Sequence, residues 1–348
     1  MDKKITIYDI AQKTNFSAVT VHRAISGKGR ISEKTKTLIL KTADELGYKA
    51  NPAAQGLRRN QIKIGAVLFC PVDEYVNNII SGIEASAEEL EKFNVFVNIK
   101  KIPYKNSKEC LKETDNEING FAQDGYNGII LFISSMSDEI SELIPAVKNV
   151  REKSIQIATV ANDILSEYSV LHVGIDAYKA GSMAAEMLEF SCKNKEVAIF
   201  TTSNTSPINS EYLKGFFDYS GSDTFSEIHI FEHFDDKHKI ENAVNEMFSS
   251  YPDISGVYIT SASSGYTCKC IERFYRPDMK IITTDILPET SELLKNKSAN
   301  ATIFQNPYKQ GKDVLEYLYN FITTGKDNGK HLITPQIILS SNIDSYIF

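Results

Sequence analysis

The sequence predicts an α/β protein in two parts: a small basic three-helix headpiece carrying a helix-turn-helix, then two doubly wound lobes side by side. Three observations predict it. Apolar residues recur at helical spacing in the N-terminal region, near-continuous apolar runs alternate with amphipathic stretches after it, and charge is divided between the two. Through residue 60, 12 Lys+Arg face 5 Asp+Glu, a balance of +7, so a whole-chain charge of −7 leaves −14 on the remainder. Local positive charge is the electrostatic footprint of phosphate binding, and an acidic body repels non-specific contact with polyanions.

The headpiece begins with Thr6, whose hydroxyl can cap a helix of about Thr6 to Lys13, with Asp9 completing the capping arrangement and Ile7, Ile10 and Ala11 on its apolar side. Thr14-Asn15-Phe16 breaks it. Ser17 is a second cap, and Val21, Ala24 and Ile25 share one face of the next helix while Thr20, His22 and Arg23 turn elsewhere. Two short helices joined by a tight turn make a helix-turn-helix, whose second helix fits the major groove of DNA. Gly27-Lys28-Gly29-Arg30 punctuates, and Ser32 opens a third helix that brings Leu38, Ile39, Ala43 and Leu46 toward the same core.

Asn51-Pro52-Ala53-Ala54-Gln55-Gly56-Leu57-Arg58 joins the two regions. Its Pro sits where a helix can start and Leu57 lies beside Arg58 and Arg59, which predicts a short helix that meets an anionic partner. Alone, so short a helix is marginal in water.

From Ile62 the period changes. Ile64–Phe69, Asn94–Ile99, Gly128–Ile133 and Ile155–Val160 are apolar runs separated by amphipathic segments, and Glu196–Phe200, Ser226–Ile230, Gly256–Thr260 and Lys280–Thr284 repeat the pattern. Strands buried on both faces and alternating with helices make parallel doubly wound sheets. Ligands of such sheets bind beyond the carboxyl ends of strands, which between two lobes is a cleft. The candidates there are Asp73, Glu74 and Tyr75, then Ser134 and Ser135, then Asn162 and Asp163, from the first lobe. Asn209, Tyr212, Ser261, Ser263 and Asp285 come from the second, and Gln305 follows a later crossover strand. Together they describe a hydroxyl-rich, aromatic-bearing site of the kind that grips polyols.

Other classes find less support. The 348 residues exceed what one core holds, and 42% hydrophobic with 24% charged residues is ordinary soluble composition. Five scattered Cys argue against a disulfide framework, and Cys268-x-Cys270 lacks the spacing of a zinc knuckle. His229, His233 and His238 with Asp235 and Asp236 could suggest a metal; the alternation around His229 instead places them at a strand end and a solvated turn, so no metal and no cofactor is expected. Met1-Asp2-Lys3-Lys4-Ile5-Thr6 lacks a secretory core and no apolar run approaches ~18 residues, which predicts a cytoplasmic protein without a membrane partner. A sugar-transport receptor would have no use for the basic headpiece. A doubly wound enzyme would need a phosphate loop or a nucleophile elbow, and the sequence offers neither.

Thr6-Ile7-Tyr8-Asp9-Ile10-Ala11, Phe16-Ser17-Ala18-Val19-Thr20-Val21-His22-Arg23 and Leu46-Gly47-Tyr48-Lys49-Ala50-Asn51-Pro52-Ala53-Ala54 closely resemble the N-terminal signature of the lactose-repressor (LacI/GalR) family of bacterial transcription regulators. The resemblance implies a headpiece over 1–49, a hinge helix over 50–60 and a periplasmic-binding-protein-like effector core over 61–348, with lobe one at about 61–161 and 288–320 and lobe two at about 162–287 and 321–348. It implies that Ala18 and Val19 choose bases in the major groove, with Arg23 on the family's shared Arg nearby. Thr6, Ser17, Thr20, His22, Asn51, Ala54 and Arg58 complete the expected DNA contacts. Small apolar residues at the first two positions favour thymine methyl contact, and His22 replaces the usual Ser. Leu57 falls on the hinge Leu that, paired with its twin in a homodimer, wedges into the minor groove of an inverted-repeat operator.

In the core, the resemblance places Tyr75 against the effector and Asp285 on an acidic residue that commonly bonds it. Asn162 and Tyr212 each stand where many relatives carry an Arg. Loss of both cations favours a neutral carbohydrate over an acidic one. The implied protein is a ligand-responsive DNA-binding regulator, most often a repressor in this family, and not an enzyme.

Overall fold

The computed structural model describes residues 5–26, 31–48, 60–134, 139–192, 195–204, 206–261, 263–274 and 276–346. The chain divides into two compact units between residues 60 and 61. Asn51, Ala54, Leu57, Arg58 and Ser135, with the Gly27–Arg30 stretch, lie outside the described residues.

The first unit contains α1 (Ile7–Thr14), α2 (Ala18–Ser26) and α3 (Glu33–Glu45). Thr6 and Asp9 form a reciprocal capping box: the Thr6 amide donates to Asp9 Oδ2 at 2.7 Å and the Asp9 amide to Thr6 Oγ1 at 3.4 Å. Ser17 caps α2 by accepting from the Thr20 amide at 3.1 Å. Ile10, Val21, Ala24, Ile39 and Ala43 form the core. One expected core residue is outside it. Leu38 is 50% exposed because the inward line of α3 runs through Ile39, Thr42 and Ala43, with Leu46 packed at its end.

The second unit holds two six-stranded sheets. β1 (Ile62–Phe69), α4 (Asp73–Glu91), β2 (Val95–Lys101), α5 (Ser107–Gln123), β3 (Gly128–Ile133), α6 (Ile144–Glu152), β4 (Gln156–Val160) and β5 (Leu171–Ile175) begin the first lobe. α7 (Ala177–Ser191), β6 (Glu196–Thr201), α8 (Pro207–Ser220), β7 (Glu227–Glu232), α9 (Lys237–Ser250), β8 (Gly256–Ile259), α10 (Ser264–Glu272), β9 (Lys280–Thr284), α11 (Pro288–Lys295) and β10 (Ala301–Phe304) build the second. α12 (Pro307–Thr324) and β11 (Gly329–Ile333) return to the first lobe, and β12 (Gln336–Ile338) ends in the second.

Strand order is β11-β5-β4-β3-β1-β2 in one sheet and β12-β10-β9-β8-β6-β7 in the other, with β12 the antiparallel member. The alternation of β1 sends Ile64, Ala66 and Leu68 to a core under α4 and α12, and Val67 and Phe69 to the core under α5 and α6. In β6, Val197 and Ile199 face α7 and α8 while Ala198 and Phe200 face α9 and α10.

The lobe limits differ from those expected. β5 belongs to the first sheet and β10 to the second, so the chain crosses after β5, after β10 and between β11 and β12. These strands are short or polar: β5 carries His172 and β11 is a largely exposed edge, so neither reads as an apolar run.

Two helix pairs approach at backbone distance. A Cβ at Gly82 of α4 would overlap the carbonyl of Tyr308, and one at Gly311 of α12 the carbonyl of Ile79. In the second lobe, Gly181 of α7 and the Tyr212 carbonyl, with Gly215 of α8 and the Tyr178 carbonyl, repeat the reciprocal contact. Among the described residues, no helix is long and apolar enough to cross a membrane.

Candidate functional site

The carboxyl ends of β1, β3 and β4 and of β6, β7, β8 and β10 open onto one cavity of about 530 Å³. This is where a pair of parallel sheets leaves unpaired loop groups for a ligand. Tyr75, Ser134 and Asn162 line it from the first lobe, and Asn209, Tyr212, Ser261 and Gln305 from the second. The Tyr75 and Phe132 rings pack 5.7 Å apart in its wall. Asn162 is held by its amide, which donates to the Ile133 carbonyl at 3.1 Å, and Asn209 by donation to the Ser203 carbonyl at 2.8 Å.

Five expected residues, Asp73, Glu74, Asp163, Ser263 and Asp285, are not in its lining, and two of them show why. Asp73 opens α4 with its side chain 65% exposed and pairs with Lys101 at 2.9 Å, whereas Tyr75, about 200° further round the helix, turns inward. Asp285 is buried behind the wall rather than in it. Its Oδ1 accepts the Gln305 amide N–H at 2.9 Å and its Oδ2 accepts Gln305 Nε2–H at 2.7 Å. Gln305 Oε1 in turn accepts the Tyr212 hydroxyl at 3.1 Å. Burial lifts the Asp285 carboxyl to about 7, against the opposing pull of the two Gln305 donors.

The loop after β7 supplies groups that the sequence reading put in a metal-like cluster or a solvated turn. Phe234 and Asp235 adopt φ of 53° and 54°, consecutive left-handed positions that aim both residues at the cavity. Asp235 Oδ1 accepts the Ser263 hydroxyl at 2.6 Å, and burial raises its carboxyl. His233 is buried, not solvated: burial lowers it to about 4, its Nδ1 accepts the Asp235 amide at 3.1 Å, and its Nε2 lies 3.4 Å from Ser261 Oγ. A neutral ring with Nδ1 accepting carries its proton on Nε2, so it donates to Ser261. Lys239 lines the rim with its ammonium 4.1 Å from the centre of the Phe234 ring. Tyr104, Ser107, Thr202 and Thr260 are among the lining residues that sequence did not single out. The cavity is thus amide- and hydroxyl-rich, aromatic on both lobes, with one acid and one ammonium among its described lining residues.

On the headpiece, Val19 is 60% exposed, and Ser17 and Arg23 are exposed with it. Ala18, Thr20 and His22 are half-buried, and Thr6 is exposed with its hydroxyl committed to the cap.

Residues 6–51 match the family model for bacterial regulatory proteins, lacI family, and residues 64–327 match that for the periplasmic binding protein domain. The chain belongs to the lacI family. The HTH-type transcriptional regulator pepR1 of Lactobacillus delbrueckii subsp. lactis is 24% identical over 342 residues, 95% of each chain. Catabolite control protein A of Priestia megaterium is 25% identical over 214 residues, covering 61% of this chain and 60% of the relative. Among solved structures, GanP, a glucose-galactose binding protein from Geobacillus stearothermophilus, aligns with a TM-score of 0.71 at 24% identity over 82% of this chain and 99% of its own. A putative LacI transcriptional regulator from Bacteroides fragilis gives 0.71 at 17% identity over 83% and 100%. Both likenesses show the fold. The lacI-family protein is a ligand-responsive, DNA-binding transcriptional regulator with a helix-turn-helix and a periplasmic-binding-protein-like core.

Proposed function

We propose that this regulator senses a neutral carbohydrate in the interlobe cavity. The observation that carries the reading is the wall itself. Asn162, Asn209, Tyr212 and Gln305 present amides and a hydroxyl, with the rings of Tyr75, Phe132 and Phe234 beside them. Such groups pair with vicinal hydroxyls and stack on the apolar face of a sugar ring. Asp235 offers an acceptor, and Lys239 offsets its charge, so the wall has no excess of cation to match a phosphate. GanP, which shares this fold, is a glucose-galactose binding protein.

The protein acts in the cytoplasm as a homodimeric repressor, without catalysis, on an inverted-repeat duplex. Val19, Ala18 and Arg23 meet the major groove, Ser17, Thr20, His22 and Thr6 flank them, and Leu57 wedges the minor groove with Asn51, Ala54 and Arg58 beside it. Ligand binding changes the relative pose of the lobes, this changes the separation of the paired hinges, and operator affinity follows by linkage.

A thermal-shift and calorimetric screen of neutral sugars against their phosphates tests the ligand class. Neutral sugars should raise the melting temperature by mass action. Tight binding confined to phosphorylated or carboxylated ligands would overturn it, and Lys239 would then be the group to examine.

A further inference from the structure

We infer that Glu196, Glu227 and His229 form a divalent transition-metal site at the outer end of the second sheet, suited to Zn²⁺. Strand alternation puts Glu227 and His229 on one face of β7, and the parallel register places Glu196 of β6 opposite Glu227 and Ala198 opposite His229. The small Ala198 leaves room for the ring to lean over β6. His229 Nε2 therefore lies 3.0 Å from Glu196 Oε1 and 3.8 Å from Glu227 Oε2, and all three donor atoms fall within 4.8 Å of one another. Donors around a tetrahedral ion with bonds of about 2.0 Å sit about 3.3 Å apart, so the cluster needs only side-chain adjustment to close on a metal.

Two further features favour a cation there. Among the described residues the ion pairs of Glu196 and Glu227 run only to His229, so two facing carboxylates meet at most one positive charge, whichever proton state the ring holds. Like charges in register across strands destabilise a sheet, and a divalent ion removes that repulsion. The ring is also fixed from behind: its centre is 3.9 Å from that of Tyr251, which follows α9. The entry path is open, since Glu227 is 65% exposed while the other two are mostly covered. One imidazole nitrogen with two carboxylate oxygens suits Zn²⁺ better than Mg²⁺ or Ca²⁺, which take all-oxygen sets. None of the three residues lines the interlobe cavity, so the site is independent of the sugar reading.

The experiment uses the full chain, stripped with a chelator, in equilibrium dialysis against Zn²⁺ and in absorption titration with Co²⁺. One equivalent should bind, the Co²⁺ spectrum should show a four- or five-coordinate ion, and Zn²⁺ should raise the melting temperature. His229→Ala and the isosteric pair Glu196→Gln with Glu227→Gln should each weaken binding by at least the roughly 10–100-fold that outer-shell changes cost. The Gln pair serves if the Ala variant does not fold. His238→Ala and the double replacement Cys268→Ser, Cys270→Ser should leave binding intact. No binding by the wild-type chain, or binding undiminished in the Gln pair, overturns the proposal.

Discussion

Gln305 stands between Asp285 and the cavity, its Nε2 donating to Asp285 Oδ2 at 2.7 Å and its backbone N–H to Oδ1 at 2.9 Å. The acid therefore aims an amide that reaches Tyr212 and lines the cavity. Asp285 itself has φ of 65°, its backbone carbonyl accepts the Thr302 hydroxyl of β10 at 2.9 Å, and its carboxyl turns to Gln305 instead of projecting into the cavity.

Burial raises Asp285 from the ordinary 3.8 to about 7, so between these values the folded core keeps a proton that the unfolded chain has lost. Stability from this group is greatest below pH ~4, falls as pH rises toward 7, and is level above it, with a total change on the order of 4 kcal/mol. Asp285→Asn, which cannot ionise, should flatten that slope in denaturant titrations of the core. A slope unchanged in the variant would show that other groups set it.

Tyr212→Phe removes the hydroxyl that Gln305 Oε1 accepts and leaves that oxygen without its donor in a buried wall. We expect a stability loss of about 1–3 kcal/mol and weaker ligand affinity, with DNA binding by the ligand-free protein retained. Calorimetry with unaltered ligand affinity would remove Tyr212 from the site.

Glycine replacements separate close helix contact from helix propensity. Gly181→Ala must push α7 off the Tyr212 carbonyl and should lower stability by several kcal/mol while loosening Tyr212, whereas Gly120→Ala in α5 meets nothing within 4 Å and should stabilise by about 0.5–1 kcal/mol. Equal effects of the two in thermal unfolding would contradict the packing at that crossing.

Much of the fold was legible because β3 is apolar throughout and β1 and β6 carry continuous apolar runs, Ile64–Phe69 and Val197–Phe200, as strands covered on both faces must. The crossover strands were not. His172 interrupts β5, the four residues of β10 are too short to show a period, and β11 alternates weakly at an exposed edge. In the cavity, Asn162, Ser261 and Gln305 were readable from their place just beyond strands. Asp235 was misread and Phe234 passed over because two consecutive left-handed residues have no glycine to announce them. Asp73 and Asp285 were placed in the lining because position after a strand does not reveal which way the first turn sends a side chain.

In the headpiece, Val19→Ala should alter operator preference with little change in melting, since the side chain is 60% exposed. Ile10→Ala, by contrast, empties the centre of a five-residue core and should unfold the headpiece and abolish DNA binding while the isolated core keeps its ligand affinity. Gel-shift and calorimetric assays on both variants distinguish surface from core; loss of ligand binding in the Ile10 variant would contradict the independence of the two units.

The central claim is that ligand occupancy in the core alters grip on DNA. Its most direct test is operator affinity measured by fluorescence anisotropy on inverted-repeat duplexes selected from a random pool, over a salt series, with and without the sugar that raises the melting temperature. The account predicts a salt-sensitive preference for one inverted repeat, a ligand-dependent change in its affinity of about 5–150-fold, and loss of duplex bending in Leu57→Ala. Sequence-independent binding, or an operator affinity that the bound ligand leaves unchanged, would contradict it.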